Sequence, residues 1–337
     1  MNEADQKIAK KVDKQDMYSQ IKKFGEQLVQ AYKMSQTINL KAKYNQIYIA
    51  GMGGSAIAAF LAKEYAESLD SKTPINVINQ YELPSTADKN SLIIINSYSG
   101  NTEEVLAVYK EARKKGLPTL CIASGGKLKT YCDEEMTDFF LLPRGIQPRV
   151  AVPYLFAPVL RVLELNGSIP PQQNEITLAA EMIKNPALEE KARNLAENCF
   201  DKLPVIYASN RLRYVAYRWK TNINENAKMP AYCHYFPELN HNEMNGFENL
   251  PEKVQIVILK EKGDHIRNKK RMDITKSLLT KKGIGVSEIE LTGPCFLANT
   301  MAAMHVGDLL SYFLALKYNT DPTPVDIVEE FKKQMGK

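Results

Sequence analysis

The chain has 337 residues, 44% hydrophobic and 25% charged, with a formal net charge of +5. That balance excludes disordered and fibrous architectures and suffices for two domains that each bury a core. The small positive excess suits an anionic small molecule at least as well as nucleic acid, and no basic-aromatic platform marks a nucleic-acid surface, so no nucleic-acid partner is expected.

The N-terminus is charged from the start and has no apolar segment of the kind that directs secretion. Met17, Ile21, Phe24, Leu28 and Ala31 then recur at helical spacing, with Asp13 or Asp16 available as cap, which predicts an opening amphipathic helix. Apolar runs follow at 47–50, 75–78, 92–95, 119–123 and 139–142. They are short and continuous, the pattern of strands covered on both faces, and helical segments separate the first four. Residues 150–160 form the most apolar stretch, but Arg161 interrupts it well short of the roughly 20 residues that cross a bilayer, so no membrane partner is expected. Residues 150–188 read as mainly helical, with a polar break at 166–174 that contains Pro170 and Pro171. A second α/β alternation begins with strands at 205–208, 232–235, 254–259 and 286–291, and ends in a helix through 298–316. Five scattered cysteines without a CxxC pair read as free thiols in a reducing compartment, which points to the cytoplasm.

In open α/β sheets ligands bind beyond the carboxyl ends of the strands, so the informative residues follow each apolar run. Gly51-Met52-Gly53-Gly54-Ser55-Ala56 fits the dinucleotide fingerprint formally, but Asn79 and Gln80 stand where the ribose-binding acid belongs. No nicotinamide cofactor is expected; a plain tight turn is the simple alternative, and four small residues admit close backbone approach. After the third strand comes Ser97-Tyr98-Ser99-Gly100-Asn101-Thr102-Glu103-Glu104. Three hydroxyls and the first-turn amides of a helix converge there, which suits a phosphate dianion, although an ordinary capped helix would also use one of them. No lysine follows the glycine as in a Walker loop, so a phosphate monoester fits better than a triphosphate. The corresponding strand of the second half runs into Lys260-Glu261-Lys262-Gly263-Asp264, whose carboxylates repel phosphate.

The second half offers chemistry instead. Glu225 lies near a predicted helix end among amides, and His241 follows sixteen residues on (241 − 225) in a loop of Asn, His and Glu. A carboxylate and an imidazole are what proton transfer beside a carbonyl requires, while each alone reads as a surface Glu or a hydrogen-bonded loop His. His234, Glu238, His241 and Glu243 are close in sequence but lack H-E-x-x-H or deaminase spacing, so no catalytic metal is expected; no G-x-S-x-G elbow marks a serine hydrolase.

Together with Gly145-Ile146-Gln147-Pro148-Arg149, Asn224-Glu225-Asn226-Ala227-Lys228, Asn240-His241-Asn242-Glu243 and Asp321-Pro322-Thr323-Pro324-Val325, these motifs resemble the bifunctional phosphoglucose/phosphomannose isomerases. The resemblance implies two sugar-isomerase (SIS) domains, each a doubly wound, flavodoxin-like parallel sheet with helices on both faces. The two alternations and the helical stretch between them divide the chain into 1–150, a helical connection 151–192, and 193–337. The resemblance also implies metal- and cofactor-free interconversion of glucose and mannose 6-phosphates with fructose 6-phosphate. Ser97, Ser99 and Thr102 would hold the phosphate; Gly54 and Ser55 would line the sugar; Thr323 would stand at the C2–C3 edge. Arg149 would stabilise the enediolate, Glu225 would move the proton, and His241 with Lys332 (or the adjacent Lys333) would assist ring opening. It further implies a homodimer whose site takes His241 from the neighbouring subunit. The competing readings are an SIS-type amino-sugar-phosphate isomerase or deaminase and a non-catalytic sugar-phosphate sensor.

Overall fold

A computed structural model describes residues 1–250 and 253–336. Contacts divide the chain into two compact units that are interleaved in sequence. The amino-terminal unit comprises Lys23–Lys184 with Cys295–Ala298; the carboxy-terminal unit comprises Met1–Lys22, Asn185–Pro294 and Asn299–Lys337.

The opening region forms three helices rather than one: α1 (Glu3–Val12), α2 (Met17–Lys22) and α3 (Phe24–Met34). Asp13 does cap, its carboxylate accepting the N–H of Met17 at 2.8 Å and of Tyr18 at 3.1 Å. The expected single helix breaks at Lys23 because its apolar residues serve two cores. Met17 and Ile21 are buried within the carboxy-terminal unit, whereas Phe24, Leu28 and Ala31 are buried within the other.

In the amino-terminal unit, β1 (Gln46–Ala50), β2 (Ile75–Ile78), β3 (Ser91–Asn96), β4 (Thr119–Ala123) and β5 (Asp138–Leu141) form a parallel sheet in the order β2-β1-β3-β4-β5. Every residue of β3 and β4 is buried, as two covered faces demand. Helices α5 (Glu103–Lys114) and α6 (Gly126–Glu134) close one face through Val105, Val108, Tyr109 and Leu128. On the other side α4 (Gly53–Ser68) packs against α7 (Val152–Asn166), with α3 and α8 (Gln173–Ile183) outside. The order reverses between β1 and β3, so their carboxyl ends flank the topological switch point where such sheets bind ligands.

The carboxy-terminal unit repeats the plan with four parallel strands, β6 (Leu203–Ser209), β7 (Tyr232–Phe236), β8 (Val254–Glu261) and β9 (Gly285–Leu291), in the order β7-β6-β8-β9. Phe236, Leu239, Phe247 and Met272 of α11 (Ile266–Lys281) fill one face. Against the other lie α9 (Ala187–Cys199) and α10 (Arg213–Asn222). α12 (Phe296–Lys317) is largely apolar, and α13 (Asp326–Met335) buries none of its residues. Among the described residues no helix is long and apolar enough to cross a membrane.

Candidate active site

At the switch point of the first sheet, two helices begin without a side-chain cap. Met52 precedes α4 and Thr102 precedes α5, and neither side chain bonds a first-turn amide. The Thr102 hydroxyl instead accepts from the Ser97 hydroxyl at 3.2 Å, while the exposed Ser99 accepts the N–H of Asn101 at 3.2 Å. Uncapped N-termini with hydroxyls beside them are what an anion site consists of, since orphan N–H groups and the dipole both favour negative charge.

The loops of this site are tied to one another. Ser55, buried in the first turn of α4, accepts the main-chain N–H of Tyr98 through its hydroxyl at 3.2 Å. Tyr98 donates its phenol to the carbonyl of Pro143 at 2.8 Å and accepts from the N–H of Ile146 at 3.1 Å. This locks the Ser97–Thr102 loop to the segment that leads into Arg149, which is 5% exposed in the short turn Pro148–Val150. A Cβ on Gly54 would stand 3.0 Å from the carbonyl oxygen of Pro148, so the glycine lets the α4 start approach that turn. Gly54, Ser55, Ser97, Ser99, Thr102 and Arg149 therefore share one end of one unit. Tyr98 was not singled out by its chemistry; its signal was an aromatic residue between two hydroxyls.

In the carboxy-terminal unit, Glu225 occupies a π turn, Ile223–Ala227, that continues α10. It is half-buried. Lys228, in the left-handed conformation that ends the turn, donates its ammonium to the carbonyl of Glu225 and, at 3.4 Å, to that of Pro322. Buried Thr323 follows directly, its N–H bonded to the Asp321 carboxylate at 2.9 Å, so Glu225 and the 321–325 motif are brought together.

His241 is elsewhere. Glu225 precedes β7 and His241 lies beyond its far end, and five strand residues span roughly 13 Å at about 3.3 Å per residue. His241 is exposed between two held asparagines: Asn240 donates to the Thr275 hydroxyl at 2.9 Å, and Asn242 to the Glu238 carboxylate at 2.9 Å. Glu243 fixes the loop by accepting the Tyr207 phenol at 2.6 Å, and burial together with that carboxylate holds Tyr207 firmly protonated. Lys332 is exposed on α13 and pairs with Glu329 at 2.7 Å. Among the described residues no three His, Cys, Asp or Glu side chains cluster as metal ligands would.

The switch point of the second sheet is filled by the protein itself. Buried Glu261, ending β8, accepts from the N–H of Gly263 at 2.7 Å, from Arg211 Nε at 3.1 Å and from Asn299 at 2.8 Å. Asp264 accepts the hydroxyl of Ser209 and the N–H of Glu261, and burial raises its pKa. Where the first sheet presents amides and hydroxyls, the second presents carboxylates with their cation supplied internally.

Residues 41–137 match the model of the SIS domain, and residues 188–335 match that of the bacterial phospho-glucose isomerase C-terminal SIS domain. The fold and its anion-ready switch point thus define a protein of two SIS domains. The structure of the C-terminal domain of glucosamine-fructose-6-phosphate aminotransferase from Francisella tularensis superposes with a TM-score of 0.73, covering 91% of this chain and 98% of that one; at 17% identity the likeness shows the fold. The bifunctional phosphoglucose/phosphomannose isomerase of Caldicellulosiruptor bescii is 37% identical over 95% of this chain and 99% of its own length. The D-glucosamine-6-phosphate 4-epimerase of Sulfolobus acidocaldarius is 34% identical over 64% of this chain and 68% of its own. The chain belongs to the bifunctional phosphoglucose/phosphomannose isomerase family and is an isomerase.

Proposed function

We propose that the protein interconverts glucose 6-phosphate and mannose 6-phosphate with fructose 6-phosphate through an enediolate, without a metal or cofactor. The observation that carries this reading is the pair of uncapped helix starts with Ser55, Ser97 and Thr102 beside them, a cradle for a phosphate monoester. Anchoring the phosphate, with Ser99 at the loop's exposed edge, fixes the reacting carbons remotely, so binding energy positions the chemistry. Glu225 is the base that carries the proton between C2 and C1; Arg149 offsets the charge that grows on the oxygens; Gly54, Ser55 and Thr323 contact the sugar. Use of both epimers requires a proton delivered to either face of one enediol.

His241 and Lys332 assist ring opening. The position of His241 beyond the far end of β7 supports its donation to the site of a second copy, hence a homodimer with shared sites. α13 supports the same reading, because it buries nothing in its own chain and exposes Ile327, Val328, Phe331 and Met335. The five cysteines are free, in keeping with a reducing cytoplasm.

The deciding experiment is Glu225→Gln. Turnover should fall by about 10²- to 10⁴-fold, and deuterium exchange at C2 with it, while affinity for the sugar phosphate stays within a few-fold. An equal loss of affinity would make Glu225 a structural residue. EDTA should leave the wild-type rate untouched; activity lost to the chelator and restored by zinc would refute the metal-free mechanism. Similarity to the glucosamine-phosphate epimerase favours a second reading, action on an amino-sugar phosphate, and side-by-side assays on fructose, glucose, mannose and glucosamine 6-phosphates decide between them.

A further inference from the structure

The turn that carries Glu225 is held from behind by α12. Arg218, Asn222 and Asn226 recur every four residues, the spacing of one helical face, and all three are buried. Opposite them on α12 stand Asp308 and, one turn on, Ser311, both fully buried. The Asp308 carboxylate accepts from Arg218 Nη2 at 3.2 Å and from the Asn222 amide. The Ser311 hydroxyl accepts from the Asn226 amide at 2.9 Å and donates to the Asp308 carbonyl at 2.9 Å. Between these bonds Trp219 donates to the carbonyl of Ala303 at 2.9 Å and lies against Gly307. One continuous polar seam thus runs from the body of α10 into the π turn and ends at the residue next to Glu225.

A stability role alone does not explain such a seam. A buried ion pair seldom outperforms well-packed apolar side chains of the same volume, and its best-attested use is to specify one geometry over others. The geometry at stake here is a π turn, which carries one residue more per bond than an α-helix and survives only where its surroundings select it. Were the segment to relax to α-helical register, each side chain past the turn would rotate about the axis, and Glu225 with them. Asn226 is the point where the seam fixes that rotation, because its amide must meet Ser311.

We infer that Asp308 and Ser311 are positioning residues, which hold the π turn Ile223–Ala227 in the register that presents Glu225 for proton transfer. The inference rests on the reading of Glu225 as the base.

Steady-state kinetics of Asp308→Asn, Ser311→Ala, Asn226→Ala and the Asn226→Ala/Ser311→Ala double variant on fructose 6-phosphate test it, with Glu225→Gln as reference. Each single variant should lose roughly 10- to 100-fold in kcat per folded molecule, with KM held within about twofold, as for a reacting group displaced by a fraction of an ångström. Solvent deuterium incorporated at C2 of the aldose product should fall in step. The double variant should lose no more kcat than the worse single one, because both substitutions cut the same bond. Asp308→Asn removes the carboxylate charge that faces buried Arg218, and if it fails to fold, the Ser311 and Asn226 variants decide. Parental kcat in folded Ser311→Ala, or a rise in KM that matches the fall in kcat, would overturn the inference while leaving an inactive Glu225→Gln to uphold the base. A fully active Glu225→Gln would sink the base assignment and the positioning role together.

Discussion

The hydroxyl of Ser55 accepts the main-chain N–H of Tyr98 at 3.2 Å, so the first turn of α4 and the loop before α5 are one rigid piece. Ser55→Ala leaves that buried N–H without its acceptor, a loss of about 1–3 kcal/mol. Thermal unfolding should show the drop. Because the loop also carries Ser97 and Thr102, KM for the sugar phosphate should rise more than kcat falls. An unchanged KM would mean that the two helix starts do not act as one anion site.

Shared sites have a distinctive genetic signature. Co-expressed Glu225→Gln and His241→Ala chains, each inactive alone, should recover about one quarter of wild-type activity. In the proposed homodimer half of the pairs would be mixed, and each mixed pair would contain one intact site. If His241 acts within its own chain, every site in the mixture is damaged and nothing is recovered.

The anion cradle was legible in the sequence because its logic is local. A glycine-rich or hydroxyl-rich loop after an apolar run lies at a strand's carboxyl end whatever else the chain does, and each of the nine strands among the described residues coincides with an apolar run read from the sequence. The place of Glu225 near a helix end among amides was legible, but the support behind it was not. Nothing near Arg218, Asn222 and Asn226 in sequence reveals that Asp308 and Ser311, some ninety residues away, meet them in the core. The sixteen-residue interval between Glu225 and His241 suggested a pair, yet a strand in that interval necessarily carries its two flanks apart. Glu261 was legible as unfavourable to phosphate, but its pairing with Arg211 and its hydrogen bond from Asn299 depend on tertiary contacts.

Acid sensitivity should trace in part to His305 in α12. Burial pushes its pKa down to about 4, with a smaller lowering by Lys22 that opposes Glu189. The folded value lies below the ordinary one near 6.5, so the unfolded chain binds the proton first as pH falls. Stability is therefore full above about pH 6.5 and is lost progressively toward pH 4, by at most about 3 kcal/mol. His305→Gln should flatten the dependence of Tm on pH in that window. An identical slope in the variant would remove His305 from the account.

Gly307 is where α12 admits Trp219. A Cβ there would stand 2.2 Å from the indole Cδ1, and Trp219 is fully buried. Gly307→Ala should cost about 1–3 kcal/mol through overpacking, despite alanine's better helix propensity. A higher Tm would show that the indole can move aside.

Because Met1–Lys22 pack with residues that begin at Asn185, and Cys295–Ala298 return to the unit that ended at Lys184, neither unit is one uninterrupted length of polypeptide. During synthesis Met1–Lys22 must wait through more than a hundred and fifty further residues before their packing partners exist, and such distant closures slow folding. Excision of either half at a single cut would orphan a piece of the other, which makes the gene an unsuitable donor for simple domain shuffling.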